Sequence, residues 1–251
     1  MHVIAVHRVE GELGERAQAL AQALGVTAYE ARQRLVATPS IVVHTSDAEV
    51  AAAREQALAQ AGFRVLRLEP ETSPFVRLQT VVSSFEWREG AIVARPRQGD
   101  PTTLPIDAIR LILRGNEIRS RVHEKEVKTK SFSVGMAVAT GGMVMRKTSK
   151  KTVRSREDEL AGFVHVYATK GRPLIFSEPL VDFTAFGERM QPSRALNLQL
   201  LFTELVRAAP QARVDERLTR RSSLAQMLGP GLDPDAQLPL ASALLAMSAW
   251  S

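Results

Sequence analysis

Residues 48–69, AEVAAAREQALAQAGFRVLRLE, read as one helix that runs through Ala-Gly into one strand. Ser46 or Asp47 supplies a hydroxyl or carboxylate at the N-cap, and Gly62 ends the helix where a left-handed residue is needed. FRVLRL at 63–68 alternates apolar and polar positions, as a half-buried strand does, and Pro70 closes it. Working back from this unit, Ile41, Val42 and Val43 form a strand behind Pro39. Before it, Thr27 and Glu30 have the spacing of a capping box and open a helix over Ala28, Ala31, Leu35 and Val36. Leu13, Ala17, Leu20, Ala21 and Leu24 recur at helical spacing up to Gly25, and VIAVHRV at 3–9 is a β-branched strand. The predicted order is strand–helix–helix–strand–helix–strand over residues 1–70, a normal size for a small domain.

The closing helix and strand, with EARQRLVATP at 30–39, resemble the C-terminal domain of the large-subunit ribosomal stalk protein. The longer first helix is similar to that of the Clp protease adaptor family, which shares the fold. This resemblance implies a small rigid domain that offers a helix face to a protein partner. The residues with which those families bind are not carried over. The stalk family's Gly- and Lys-bearing helix start reads VTAYEAR here, and the adaptors' Asn-Asp-Asp stretch is replaced by His7, Arg8, Val9 and Glu10.

EPETSP at 69–74 is a polar linker, after which strands dominate. RLQTVVSSFEW (77–87), GAIVAR (90–95) and IRLILR (109–114) come first; FVHVYAT (163–169) and LIFSE (174–178) follow, read as a hairpin. A helix over 192–209 carries Leu196, Leu198, Leu200, Leu201, Leu205 and Val206 on one broad apolar face. The fold class is therefore α+β: the small domain, then an antiparallel β-rich domain over 75–218 closed by a C-terminal helix. By element order that second domain resembles the pleckstrin-homology architecture, a small barrel or sandwich plugged by a helix. Residues 219–251 form a tail, TRRSSLAQMLG, a GPGLDPD linker, and a short amphipathic helix with Leu240, Leu244, Leu245 and Trp250 that either packs back on the second domain or binds a partner, packing being the expectation.

An insertion over 124–159 interrupts the second domain. From Arg114 to Arg156 the chain holds twelve Lys and Arg against three Glu, a net +9 within a protein of net +6. The basic excess belongs to one element rather than to the whole surface. Lys128, Lys130, Arg146, Lys147, Lys150 and Lys151 flank an uncharged tip with Phe132, Val134, Met136, Val138, Met143 and Met145. Glycines at 135, 141 and 142 allow a solvated loop or hairpin. The sharper reading has the tip entering a membrane interface or a partner groove while the cations bind anionic headgroups. The arms also match a phosphate backbone, but Phe132 is the segment's single aromatic, which gives bases no stacking platform.

Motifs that would imply catalysis do not appear. GGMVMRKT at 141–148 has Arg146 where a P-loop needs glycine, so its backbone cannot cradle a phosphate. His2, His7, His44, His123 and His165 show no metal-ligand spacing, and Glu157, Asp158 and Glu159 neutralise the basic segment rather than form an acid–base pair. No catalytic residue, metal or cofactor is implied. The chain has no cysteine, which suits a reducing compartment, and neither a signal-peptide pattern at MHVIAVHRVEGE nor an apolar run of bilayer length. These features predict a cytoplasmic, non-catalytic adaptor or scaffold that binds proteins and docks at an anionic membrane surface, with nucleic-acid binding as the alternative.

Overall fold

Thr27 and Glu30 close the predicted capping box. The Thr27 amide donates to Glu30 Oε2 at 2.9 Å, and the Glu30 amide donates to Thr27 Oγ1 at 3.2 Å. The Thr27 amide's bond first, and then the Thr27 hydroxyl, which also donates to Glu30 Oε2 at 2.9 Å, hold the Glu30 carboxyl below its usual value. Asp47, rather than Ser46, caps the third helix by accepting from the amides of Glu49 and Val50. The caps sit in a series β1 (His2–Arg8), α1 (Leu13–Leu24), α2 (Ala28–Leu35), β2 (Ser40–Thr45), α3 (Ala48–Gln60) and β3 (Arg64–Leu68). The three strands form an antiparallel sheet in the order β2-β1-β3. This is a computed structural model; it describes the backbone of residues 1–132 and 146–250 and the side chains of 1–119 and 159–250. Two compact units result, Met1–Glu117 with Ala161–Ser251, and Ile118–Leu160.

The central strand β1 is buried on both faces. Ile4 and Val6 pack with Leu20, Leu24, Leu35 and Leu58 under the three helices. Val3 and Ala5 face the other way, into a core shared with Leu111, Leu113, Phe163 and Tyr167 of the second sheet. The polar stretch 69–74 thus links the two halves of the chain without separating their cores. A short helix, α4 (Pro74–Arg77), follows it and sets Phe75 against this shared core.

The second sheet has seven strands: β4 (Thr80–Arg88), β5 (Ala91–Pro96), β6 (Thr102–Pro105), β7 (Ile109–Phe132), β8 (Arg146–Ala168), β9 (Leu174–Ser177) and β10 (Arg213–Leu218). Their order is β10-β7-β8-β9-β4-β5-β6. The sheet is mixed where the sequence reading has antiparallel strands, because β10 runs parallel to β7 and β9 parallel to β4. Strand β10 lies within a stretch that sequence reading leaves unassigned. RVDERL is charged because it is an edge strand; it buries only Asp215 and Leu218, with the Asp215 carboxylate 2.6 Å from Arg217 Nη2. Helix α5 (Arg194–Ala208) lays Leu198, Leu201 and Leu205 on the outer face of this sheet against Ile112, Val164 and Val166. Leu196, expected on that face, is exposed.

The last two helices, α6 (Arg221–Leu228) and α7 (Leu238–Trp250), fill the space between the sheets. Sequence reading predicts an amphipathic α7 packed on one domain. Instead, every residue from Leu240 to Ala246 is buried, so the helix is apolar all round because it is covered from both sides. Phe75, Tyr167 and Trp250 meet at one end of this layer with ring centroids 6.0–6.4 Å apart.

His165 lies in the same region, its ring centroid 4.4 Å from that of Phe163 and tilted by 34°, and its Nδ1 has no hydrogen-bond partner. Burial lowers its pKa from 6.5 to about 3. The folded protein keeps the ring neutral while the unfolded chain takes up a proton below pH 6.5. Stability is therefore lost as pH falls from 6.5 toward 3, by about 1.4 kcal/mol per pH unit at full slope. Between pH 7.5 and 5 this amounts to roughly 2 kcal/mol. In His165→Leu the gap between urea-unfolding free energies at the two pH values narrows by about that amount; an unchanged gap would show that other groups set the acid sensitivity.

Candidate functional site

Strands β7 and β8 do not stop at the edge of the main unit. β7 runs 24 residues and β8 runs 23, and their outer parts, 118–132 and 146–160, are the strands of the second unit. The expected insertion, 124–159, falls within the second unit, 118–160.

Lys128 and Lys130 lie on β7, and Phe132 is its last residue. Arg146 opens β8, which also carries Lys147, Lys150 and Lys151. The side chains of these residues lie outside the described set, as do Val134, Met136, Val138, Met143 and Met145 altogether. What the boundary sharpens is the charge. Eleven of the chain's 33 Lys and Arg, and five of its 27 Asp and Glu, fall within 118–160. That leaves 22 of each sign for the main unit, which is neutral, while the segment 118–160 carries the entire net +6. The residue types divide as well: six of the chain's seven lysines lie between positions 125 and 151. The main unit uses arginine almost exclusively, and much of it is engaged locally. Arg34 donates to the Val42 carbonyl at 2.9 Å, Arg54 to the Ala23 carbonyl at 2.9 Å, and Arg217 to the Thr38 carbonyl.

No family model, curated protein or solved structure matches the chain. Function therefore rests on what its own residues can do.

The histidines are dispersed. His2 Nδ1 is 3.0 Å from Glu69 Oε1, His7 is lowered by burial and then by Arg64 and Arg8, and His44 is exposed beside Gly231. Among the described residues no group of three or more His, Asp and Glu is placed to hold a metal ion. Two hollows in the main unit went unseen in the sequence. One, of about 450 Å³, runs between α2 and α6, with Tyr29 and Gln33 facing Gln226 and Pro230. The other, of about 700 Å³, opens at one end of the large sheet among the first residues of β4, the β5–β6 loop and the β8–β9 turn. Its walls lie far apart in sequence, so no local pattern announces it.

Proposed function

We propose that the protein is a non-catalytic adaptor or scaffold that binds proteins and docks at an anionic membrane surface through the basic segment 118–160. The observation that carries this reading is the division of charge: a neutral body joined to a strand pair that holds the whole positive excess. A two-stranded ribbon buries little of its own surface, which leaves it available to a partner. In this reading Lys128, Lys130, Arg146, Lys147, Lys150 and Lys151 sit over headgroups, each contributing on the order of 1 kcal/mol. Phe132, Val134, Met136, Val138, Met143 and Met145 enter the interface above the acyl chains. Among the described residues no helix is long and apolar enough to cross a membrane, which supports surface docking over spanning. The element order of residues 1–70 supports their likeness to the stalk and Clp-adaptor folds, and with it a partner-binding role for α1–α3. The absence of cysteine supports a cytoplasmic location.

The test is co-sedimentation with vesicles of phosphatidylcholine alone or mixed with phosphatidylserine. Wild type pellets with the mixed vesicles only, and added salt releases it. Replacing the six cations by glutamine lowers the partition coefficient by about 10⁴-fold, from six losses near 1 kcal/mol each. Equal partition of the two proteins, or none by wild type, defeats the reading. The strand form of the arms also favours a second target, since a two-stranded ribbon fits the major groove of duplex DNA. Retention on duplex DNA with a steep salt slope, and none on vesicles, selects that alternative.

A further inference from the structure

The 700 Å³ hollow at the end of the large sheet is built by topology. Strand β4 has β9 on one side and β5 on the other. Thr80 pairs with Leu174 of β9, and its amide donates to the Pro173 carbonyl at 2.8 Å. Val82 pairs with Pro96, the last residue of β5. Arg172 comes just before the first of these contacts and Arg97 just after the second. They therefore approach from opposite sides of the β4 start, two strand spacings apart, or about 10 Å at the backbone. Both line the hollow.

Neither guanidinium makes a hydrogen bond or ion pair with any described residue. That is uncommon here: of the 21 arginines in the main unit, only Arg32, Arg64, Arg97, Arg172 and Arg220 lack one, and two of these five share this hollow. The neighbouring Arg95 shows the usual case, since its guanidinium is committed to Glu86. Asp100 is the hollow's one carboxylate, so the lining is net positive.

The rest of the lining narrows the ligand. Two guanidinium forks reaching one hollow from either side of β4 suit a phosphate monoester, whose three terminal oxygens accept from two directions; a carboxylate is filled by one fork. The lining holds no aromatic ring on which a nucleobase would stack. It offers instead the Gln98 amide and the Thr102 hydroxyl, which match hydroxyl groups. The volume falls in the range of small-molecule sites.

We propose that this hollow binds a small phosphorylated polyhydroxy compound, a sugar monophosphate by class, with its phosphate held between Arg97 and Arg172. The site belongs to the main unit and stands or falls separately from the docking role of the basic segment. Isothermal titration of the full chain with glucose 6-phosphate, ribose 5-phosphate and glycerol 3-phosphate tests it, with glucose and inorganic phosphate as controls. At least one of the three binds saturably at a single site, inorganic phosphate binds more weakly, and glucose gives no heat. Arg97→Ala and Arg172→Ala each weaken binding by about tenfold, as loss of a charged hydrogen bond does. Asp100→Asn strengthens it by removing a like charge. The unliganded melting temperatures stay within about 1 °C of wild type, because no intramolecular bond is lost. The proposal is overturned if none of the three compounds binds at millimolar concentration, or if glucose binds as well as its phosphate. It is also overturned if both arginine variants bind unchanged, and its polyhydroxy part falls if inorganic phosphate binds as tightly as the best sugar phosphate.

Discussion

Ending the chain at Gln237 abolishes cooperative folding. The segment removed is α7, whose Leu238, Leu240, Leu244 and Leu245 are all buried. Each leucine contributes about 1.5–3 kcal/mol by burial. Together they approach the roughly 5–15 kcal/mol by which whole domains are stable. The loss also reaches both sheets, because α7 shares one buried cluster with Val3, Ala5 and Leu68 of the first sheet and Leu111, Leu113 and Phe163 of the second. Two apolar sheet faces would then meet water. The expected result is a chain that keeps part of its far-ultraviolet circular dichroism, binds a hydrophobic dye and shows no sharp melting transition. A milder variant grades the effect. Leu244→Ala, at a fully buried position, costs about 2–5 kcal/mol and lowers the melting temperature by roughly 10 °C. A truncated protein that still melts cooperatively within a few degrees of wild type would show that α7 is an accessory to the core.

The helix explains why part of the fold was legible in the sequence and part was not. Residues 1–70 read correctly because each element carries its own local signals: the Thr27–Glu30 box, the Asp47 cap, Gly25 and Gly62 at helix ends. None of those signals depends on what packs behind them. α7 has no such frame. LPLASALLAMSAW is apolar on every side, and only the presence of two sheets, one made by residues 2–68 and the other by 80–218, accounts for that. A pattern read within one segment cannot report two distant partners. β10 was lost for the opposite reason: at an edge, its charges outnumber its buried positions. The parallel pairs β10–β7 and β9–β4 join strands by long crossovers, and crossover pairing leaves no local trace.

The basic segment shows the same division. Its charge was legible residue by residue, because charge is a property of composition. Its construction was only half legible, since a Lys- and Arg-rich stretch has weak strand propensity and reads as either a solvated loop or a hairpin. The pairing of Arg97 with Arg172 across β4 is wholly topological. RPRQGD and KGRP look like ordinary polar turns, and only the strand order β9-β4-β5 sets them around one hollow.

Gly115→Ala is the single substitution expected to damage the large sheet most. The glycine is not needed for a special backbone angle; it is needed for space. A Cβ at this position would lie 2.2 Å from Phe163 Cζ and 2.7 Å from Leu218 Cβ. Gly115 pairs with Leu218 across the parallel β10–β7 ladder, so the second clash is with an atom one bond from the backbone. The first is with a ring that is itself buried and packed against the His165 ring. Neither neighbour can step aside without shifting a strand. Overpacking of a tight core costs about 1–3 kcal/mol and more where the backbone must move, so a loss of about 3 kcal/mol or more is expected. For a chain of this size that lowers the melting temperature by roughly 10 °C. The cause is checked by a double-mutant cycle with Phe163→Leu, which shortens the ring side chain that meets the new methyl group. Phe163→Leu alone destabilises, but in the Gly115→Ala background it restores part of the loss, with a coupling energy of about 1 kcal/mol or more. Strict additivity of the two changes would mean that the strain sits elsewhere, at Leu218 and the β10 edge, and a Leu218→Gly partner, which removes the Cβ that clashes, would then recover what Phe163→Leu does not.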